Sequence, residues 1–215
     1  MTALVRNYNR RKIAFKRGKG SYLYATNGKK YLDFVQGIAV NSLGHANPHL
    51  IKAINKQAKK VWHVSNAFII PEGEKLAKRI TQKTFADKII FQNSGAEATE
   101  ASIKVAKRYF YSIGQANKNR ILCIKNSFHG RTIATINASG SKKMQEGFGP
   151  KVNGFDHFEF GNLKSLKRSI KKNTAAIMIE TIMGEGGIKV HSNAFLKKLR
   201  KICNQKKILL ILDEV

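Results

Sequence analysis

Apolar and polar positions alternate along this chain with two different periods, which together outline its secondary structure. Four largely apolar runs predict strands that are buried on both faces: Lys88–Phe91, Ile121–Ile124, Ala175–Ile179 and Ile208–Leu212. Between these runs, apolar residues three and four positions apart predict amphipathic helices at 95–111, 162–170 and 193–205. Such alternation indicates an α/β fold, a mainly parallel sheet with helices on both faces.

The N-terminal part of the chain follows a different pattern. Two short strand-like runs, 22–26 and 30–34, flank Asn27-Gly28, a pair suited to a type I′ turn, so they predict a hairpin. A helix capped by Asn47 is predicted over 48–61. A second helix is predicted to start near Pro71 and to bury three apolar residues, Leu76, Ala77 and Ile80.

The chain is strongly basic, which raises the hypothesis of a nucleic-acid partner. Of its 215 residues 40 are Lys or Arg and 13 are Asp or Glu, a formal net charge of 40 − 13 = +27. Only ten of the basic residues are Arg, however, the side chain that phosphate and base recognition favours. A lysine-rich solvated surface is therefore favoured over a nucleic-acid interface, although the basic tail at 6–19 could contact an anionic surface.

Further features narrow the class of protein. No apolar run approaches the roughly 20 residues that a membrane span needs, and residues 1–20 lack the apolar core of a signal peptide. Cys123 and Cys203 lie in apolar segments and are interpreted as core residues, which favours the reducing cytoplasm. The six histidines show no metal-ligand spacing, so no metal site is predicted.

The first of four polar clusters lies where a helix is predicted to begin. Ser94 is the predicted N-cap, and Glu97 would complete a capping box. Gly95 and Ala96 carry no bulk, so an anion could approach their amides at the positive end of the helix dipole. On this motif alone, an anion site and a well-capped helix with nothing bound are equally favoured.

The other three clusters follow predicted strands, where ligands of parallel sheets bind. The loop 127–131 contains Phe128, which could stack on a flat ring, and Arg131, which could pair with a carboxylate, although on this motif alone an ordinary loop with a packed aromatic and a solvated Arg is favoured. Three glycines surround Glu185, a composition typical of close backbone approach or a mobile loop. Asp213 ends an apolar strand, where a carboxylate needs a cation, a protonated ring nitrogen, a metal or a helix terminus as partner.

Taken together, the four clusters resemble class III pyridoxal-phosphate aminotransferases along almost the whole chain. The motifs that carry the resemblance are SGAEA at 94–98, FHGR at 128–131, GEGG at 184–187 and DEV at 213–215. Three further segments are most similar to the acetylornithine aminotransferase branch: 37–45, 62–66 and 192–195. The resemblance implies fold type I, with a large domain around a mainly parallel sheet, a small domain built from both termini, and a homodimer with shared active sites.

The resemblance also implies pyridoxal 5′-phosphate as the cofactor and gives residues of this chain roles around it. Six residues are expected to bind it: Ser94, Gly95 and Ala96 at the phosphate, Phe128 and Val215 on the two ring faces, and Asp213 at the pyridinium nitrogen. Two residues are expected at the substrate: Arg131 at a carboxylate of the acylated donor, and Glu185. A buried carboxylate keeps the ring nitrogen protonated, and a protonated ring is the better electron sink.

The implied reaction is a ping-pong amino transfer of arginine biosynthesis, from N-acetylornithine to 2-oxoglutarate, which becomes glutamate. Ornithine, succinylornithine or 4-aminobutyrate remain alternative donors, and a basic non-catalytic nucleic-acid-binding protein is the alternative of a different class. The expected partners are these small molecules and a second copy of the chain. The expected location is the cytoplasm, and no membrane partner is expected.

The chain departs from the family pattern in one large respect and one small one. The family's Schiff-base lysine lies downstream of the DEV motif, so no catalytic residue is assigned and the chain is expected to be an inactive N-terminal fragment. Residues 1–65 are then expected to contribute a hairpin and a helix to the small domain, and residues 66–215 the first part of the large cofactor-binding domain. Thr181 stands where relatives usually have Pro, which is expected to change loop geometry more than chemistry.

Overall fold

A computed structural model describes residues 3–215, and Met1 and Thr2 lie outside the described residues. The chain divides into two compact units between Lys88 and Ile89. The division predicted at 65/66, between a small-domain segment and the first part of a large domain, concerns the complete protein and stays a prediction.

The first unit contains a small antiparallel sheet. Its strands are ordered as in the chain, β1 (Phe15–Lys19), β2 (Tyr22–Ala25) and β3 (Lys30–Leu32). The hairpin predicted around Asn27-Gly28 is confirmed as β2–β3, and β1 adds a strand that the pattern did not indicate. After β3, Asp33 and the ring of His45 form a hydrogen bond of 2.7 Å, the main reason why the pKa of Asp33 is lowered.

Among the described residues of the first unit are one short turn with positive φ values, α1 (Gln36–Ala39), and two helices, α2 (Pro48–Ala58) and α3 (Pro71–Thr81). The side chain of Asn47 accepts the backbone N–H groups of His49 and Leu50, which confirms it as the cap of α2. The predicted burial of Leu76, Ala77 and Ile80 is wrong, since α3 contains no buried residue and Leu76 is 48% exposed. The helical period gives α3 an apolar face, but burial also requires a partner surface, and Ala77 and Ile80 are only half-buried.

The second unit consists of alternating strands and helices. Its elements in chain order are α4 (Gly95–Ser112), β4 (Arg120–Ile124), α5 (Ile133–Ser139), α6 (Lys142–Gln145), β5 (Phe155–Phe158), α7 (Leu163–Ser169), β6 (Thr174–Glu180), β7 (Ile182–Met183), β8 (Lys189–Val190), α8 (Asn193–Lys206) and β9 (Leu209–Asp213). The predicted helices at 95–111, 162–170 and 193–205 correspond to α4, α7 and α8. The elements α5, α6 and β5 were not predicted.

Four of these strands form one parallel sheet in the order β5-β4-β6-β9. Side chains of successive residues point to opposite faces, and each face has its own apolar core. One core contains Leu122, Ile177 and Ile179 with the apolar side of α8, and the other contains Ile121 and Met178 with α4. The predicted parallel sheet with helices on both faces is therefore confirmed.

The strand predicted at Lys88–Phe91 is wrong. This segment has no regular structure, and Ile90 and Phe91 are 65% and 50% exposed. A short apolar run such as Ile89–Phe91 forms a strand only where a neighbouring strand satisfies its backbone groups, and periodicity alone does not show whether that neighbour exists.

Candidate functional site

Three of the four predicted clusters meet because parallel strands end at the same edge of a sheet. β4 leads into the loop of Phe128, β6 into the loop of Glu185, and β9 ends at Asp213. Register places Glu180 beside Asp213, so the ends of β6 and β9 are level. This edge is where open α/β sheets bind their ligands.

The helix α4 begins at the remaining cluster, that of Ser94, and its first amides are free to bind an anion. Ser94 Oγ accepts the Glu97 N–H at 3.2 Å, which confirms the predicted cap. The Glu97 carboxylate, however, accepts the N–H of Asn93 at 2.9 Å, one residue before the position that a capping box requires. Within the described chain the amides of Gly95 and Ala96 donate no hydrogen bond, so two positively polarised donors remain at this helix end.

Close backbone approaches bring this helix start against the other clusters. A Cβ added to Gly130 would lie 3.1 Å from Ala96 Cβ, and Gly130 has a φ of +119°, a conformation that favours glycine. A Cβ added to Gly95 would lie 2.6 Å from Val215 Cγ1. The absence of side chains at Gly95 and Gly130 therefore lets the FHGR loop and the chain after β9 pack on the first turn of α4.

Asp213 is held by a partner that the sequence analysis did not identify, His129. Nδ1 of His129 lies 2.7 Å from Asp213 Oδ2, and the two side chains are 0% and 8% exposed. An ionised carboxylate only accepts hydrogen bonds, so Nδ1 is the donor. The other carboxylate oxygen, Oδ1, accepts the N–H of Val215 at 3.1 Å. His129 directly follows Phe128 in the FHGR motif, but only the fold brings it to a residue 84 positions later.

The two predicted substrate residues are more exposed than Asp213. Phe128 is half-buried, whereas Arg131 and Glu185 are exposed. The carboxylate of Glu185 makes no hydrogen bond to any described residue, and it lies in the turn between β7 and β8. A second buried carboxylate, Glu180, bonds to the backbone of both loops and was not singled out from the sequence.

In the second unit, the pKa values of two cysteines and of Asp156 are shifted by their structural surroundings. Burial raises the pKa of Cys203 to about 11 and raises that of Cys123 still further, so neither thiol is an accessible nucleophile. Burial opposes ionisation of Asp156, but hydrogen bonds from Arg120 and Lys171 outweigh it, and the net result is a lowered pKa. Across residues 3–215, no group of three or more His, Cys, Asp and Glu could hold a metal ion.

Known proteins with similar sequences and structures are aminotransferases. Acetylornithine aminotransferase of Agrobacterium fabrum is 55% identical over 208 residues, which are 97% of this chain and 52% of that protein. An ornithine aminotransferase from Toxoplasma gondii ME49 matches 98% of this chain and 50% of its own, with a TM-score of 0.92 and 28% identity. N-acetylornithine aminotransferase of Stenotrophomonas maltophilia K279a matches 97% of this chain and 52% of its own, with a TM-score of 0.81 and 33% identity.

These matches agree both in the class of protein and in the share of each relative's length that the chain covers. The chain spans about half the length of the curated relatives it matches. Within the part of the chain that the structure describes, no helix is both long and apolar enough to cross a membrane. The family model of class-III aminotransferases matches residues 4–215, which include all four clusters at the sheet edge. The chain belongs to the class-III aminotransferase family.

Proposed function

We propose that this chain supplies part of the cofactor site of an acetylornithine aminotransferase, which transfers the amino group of N-acetylornithine to 2-oxoglutarate in arginine biosynthesis. The observation that carries the proposal is the buried pair of Asp213 and His129 beside the free amides of Gly95 and Ala96. The 55% identity to the Agrobacterium fabrum relative supports this choice within the family.

The residues at the sheet edge fit pyridoxal 5′-phosphate. The free amides of Gly95 and Ala96 at the start of an 18-residue helix offer charge-assisted hydrogen bonds to a phosphate, with Ser94 beside them. Asp213 offers a buried carboxylate to a protonated ring nitrogen. Phe128 and Val215 offer apolar surfaces for the two faces of the ring, and both still carry exposed surface.

Each of these residues has a distinct physical task. When bound, pyridoxal phosphate supplies the electron sink of the reaction. Asp213 keeps the ring nitrogen protonated, because its charge lies in a mostly dry environment where attraction is weakly screened. His129 donates to Oδ2 and the N–H of Val215 donates to Oδ1, so the carboxylate is held in one orientation.

The substrate residues lie in the exposed loops of the same edge. Arg131 presents a planar guanidinium fork that matches a carboxylate of the acylated donor. Glu185, in its glycine-rich turn, is the second residue that we propose for the substrate pocket. The lysine that holds the cofactor covalently belongs to the half of the family's length that this chain does not match. A cytoplasmic homodimer with shared sites completes the proposal.

The experiment is an amino-transfer assay on the full-length protein that contains this chain. With N-acetylornithine, 2-oxoglutarate and pyridoxal phosphate, we expect glutamate to form. If glutamate forms with ornithine, succinylornithine or 4-aminobutyrate but not with N-acetylornithine, the choice of donor is contradicted. Cofactor binding that persists unchanged in a Gly95→Val variant would contradict the placement of the phosphate.

One second candidate is favoured by a specific observation. The ornithine aminotransferase from Toxoplasma gondii matches the fold with a TM-score of 0.92, above that of the N-acetylornithine enzyme at 0.81. An ornithine donor is therefore the first alternative to test. The sequence identities, 28% and 33%, rank the two in the opposite order, and sequence rather than backbone shape determines a substrate pocket.

A further inference from the structure

The carboxylate of Glu180 joins two loops to which the proposed function assigns different ligands. Glu180 is the last residue of β6 and is 8% exposed. Its Oε1 accepts the N–H of Phe128 at 2.8 Å, and its Oε2 accepts the N–H of Gly184 at 3.0 Å. A single side chain thus holds the backbone of the ring-stacking residue and the backbone just before Glu185.

A second contact joins the same two loops. A Cβ added to Gly186 would lie 3.1 Å from the carbonyl oxygen of Asn126, so the glycine-rich turn lies directly against the segment before Phe128. The N–H groups of Gly187 and Ile188 both bond to the carbonyl of Gly184 at 3.1 Å. The turn around Glu185 is therefore closed on itself and packed on the loop of Phe128.

The position of Glu180 in the sheet explains why it can reach both loops. β6 lies between β4 and β9, and register pairs Glu180 with Asp213. Paired residues of neighbouring strands extend their side chains to the same face of the sheet. Glu180 therefore lies between the strand that leads to Phe128 and the strand that carries Asp213.

The chemistry of these bonds requires a carboxylate. Two oxygens of an ionised Glu accept two backbone N–H groups at once, and such charge-assisted bonds are stronger than neutral ones. The amide of Gln offers only one oxygen, and its NH₂ group would face the second N–H. Replacing Glu180 by Gln keeps the size of the side chain but leaves one loop without its acceptor.

We propose that Glu180 is a positioning residue that holds the loops of Phe128 and Glu185 together, so that the cofactor loop and the substrate loop keep a fixed position relative to each other. The assignment of these loops to cofactor and substrate rests on the proposed function. The mechanical coupling of the loops rests on the two hydrogen bonds and on the Gly186 contact.

Amide hydrogen exchange on the full-length protein without cofactor tests the coupling directly. In Glu180→Gln, we expect exchange in the peptides that contain Phe128 and Gly184 to become about tenfold faster together. Peptides from α8 should keep their wild-type rates. Glu146→Gln is the matched control, because Glu146 is exposed and its carboxylate has no partner among the described residues.

The possible outcomes separate coupling from a general loss of stability. Faster exchange in one loop only, or in neither, would overturn the proposal. Faster exchange that extends to α8 would also overturn it, since Glu180 would then stabilise the core rather than position the loops.

A kinetic experiment tests the consequence for the site. In Glu180→Gln, both the Kd of pyridoxal phosphate and the KM of the amino donor should rise, whereas Glu146→Gln should change neither. A raised Kd with an unchanged KM would contradict the coupling. If the wild-type protein transfers no amino group at all, the proposed function fails, while the exchange result still decides the coupling.

Discussion

Gly130 is the position where one added methyl group should disturb the site most clearly. Its φ is +119°, and an added Cβ would lie 3.1 Å from Ala96 Cβ and 3.1 Å from Thr135 Oγ1. That hydroxyl already accepts the N–H of Thr132 at 2.9 Å in the cap of α5. Gly130→Ala therefore presses the FHGR loop against two helix starts at once.

The expected loss of stability has two parts. Holding a non-glycine residue at this φ costs about 1–3 kcal/mol, and forcing a methyl group into a packed contact costs about 1–3 kcal/mol more. The free energy of unfolding should therefore fall by about 2–6 kcal/mol. At roughly 1–2 °C per kcal/mol for the longer full-length protein, Tm should fall by about 5 °C.

Gly114→Ala is the matched control for backbone strain without contact. Gly114 also has a positive φ, +74°, but an added Cβ would meet no atom within 4 Å. Its cost is the left-handed strain alone, about 1–2 kcal/mol, or a Tm fall of about 2 °C. Thermal unfolding of the full-length protein without cofactor would measure both variants. Equal Tm values would refute the close packing of Gly130 on α4.

The same variants predict a difference in cofactor binding. Moving the FHGR loop away from α4 separates Phe128 from the amides of Gly95 and Ala96. Losing one charge-assisted hydrogen bond weakens binding by about tenfold or more. A titration of the visible cofactor absorbance should show this loss in Gly130→Ala and wild-type affinity in Gly114→Ala.

Three further predictions concern single side chains. Asp213→Asn should lower turnover by about a hundredfold or more while Tm changes little, because a preorganised charge is lost; near wild-type turnover would contradict its role. Gly95→Val should displace Val215 and weaken cofactor binding with an unchanged far-UV circular dichroism spectrum. Burial lowers the pKa of His191 from 6.5, so wild-type stability should fall as pH drops below about 6.5, and His191→Phe should lose less stability there than wild type. The exposed His49→Phe serves as control, and parallel pH profiles of His191→Phe and wild type would refute this last prediction.

Much of the second unit follows from local pattern. Long amphipathic segments with caps, such as 193–206 after Ser192, carry enough periodic positions to determine a helix, and the Ser192 side chain accepts the N–H of Phe195. Continuous apolar runs at β4, β6 and β9 predicted buried parallel strands, and the edge of that sheet predicted where Asp213 would lie. The strand predicted at Lys88–Phe91 is wrong because three consecutive apolar residues contain no information about a pairing partner.

The parts of the site that sequence reasoning missed depend on contacts between distant residues. His129 and Asp213 are 84 positions apart, and Glu180 and Phe128 are 52 positions apart. Neither periodicity nor spacing encodes such pairs. The only local signals were a His beside an aromatic residue and a Glu at the end of an apolar strand, and both are common in structural roles.

The most direct test of the central claim is a half-reaction on the full-length protein loaded with pyridoxal phosphate. N-acetylornithine, added without any acceptor, should convert the visible spectrum of the aldehyde cofactor to that of the amine form, and 2-oxoglutarate should restore it. Wild type should complete this cycle, and Asp213→Asn should slow its first step. A spectrum that N-acetylornithine leaves unchanged, while the cofactor is bound, would contradict the account.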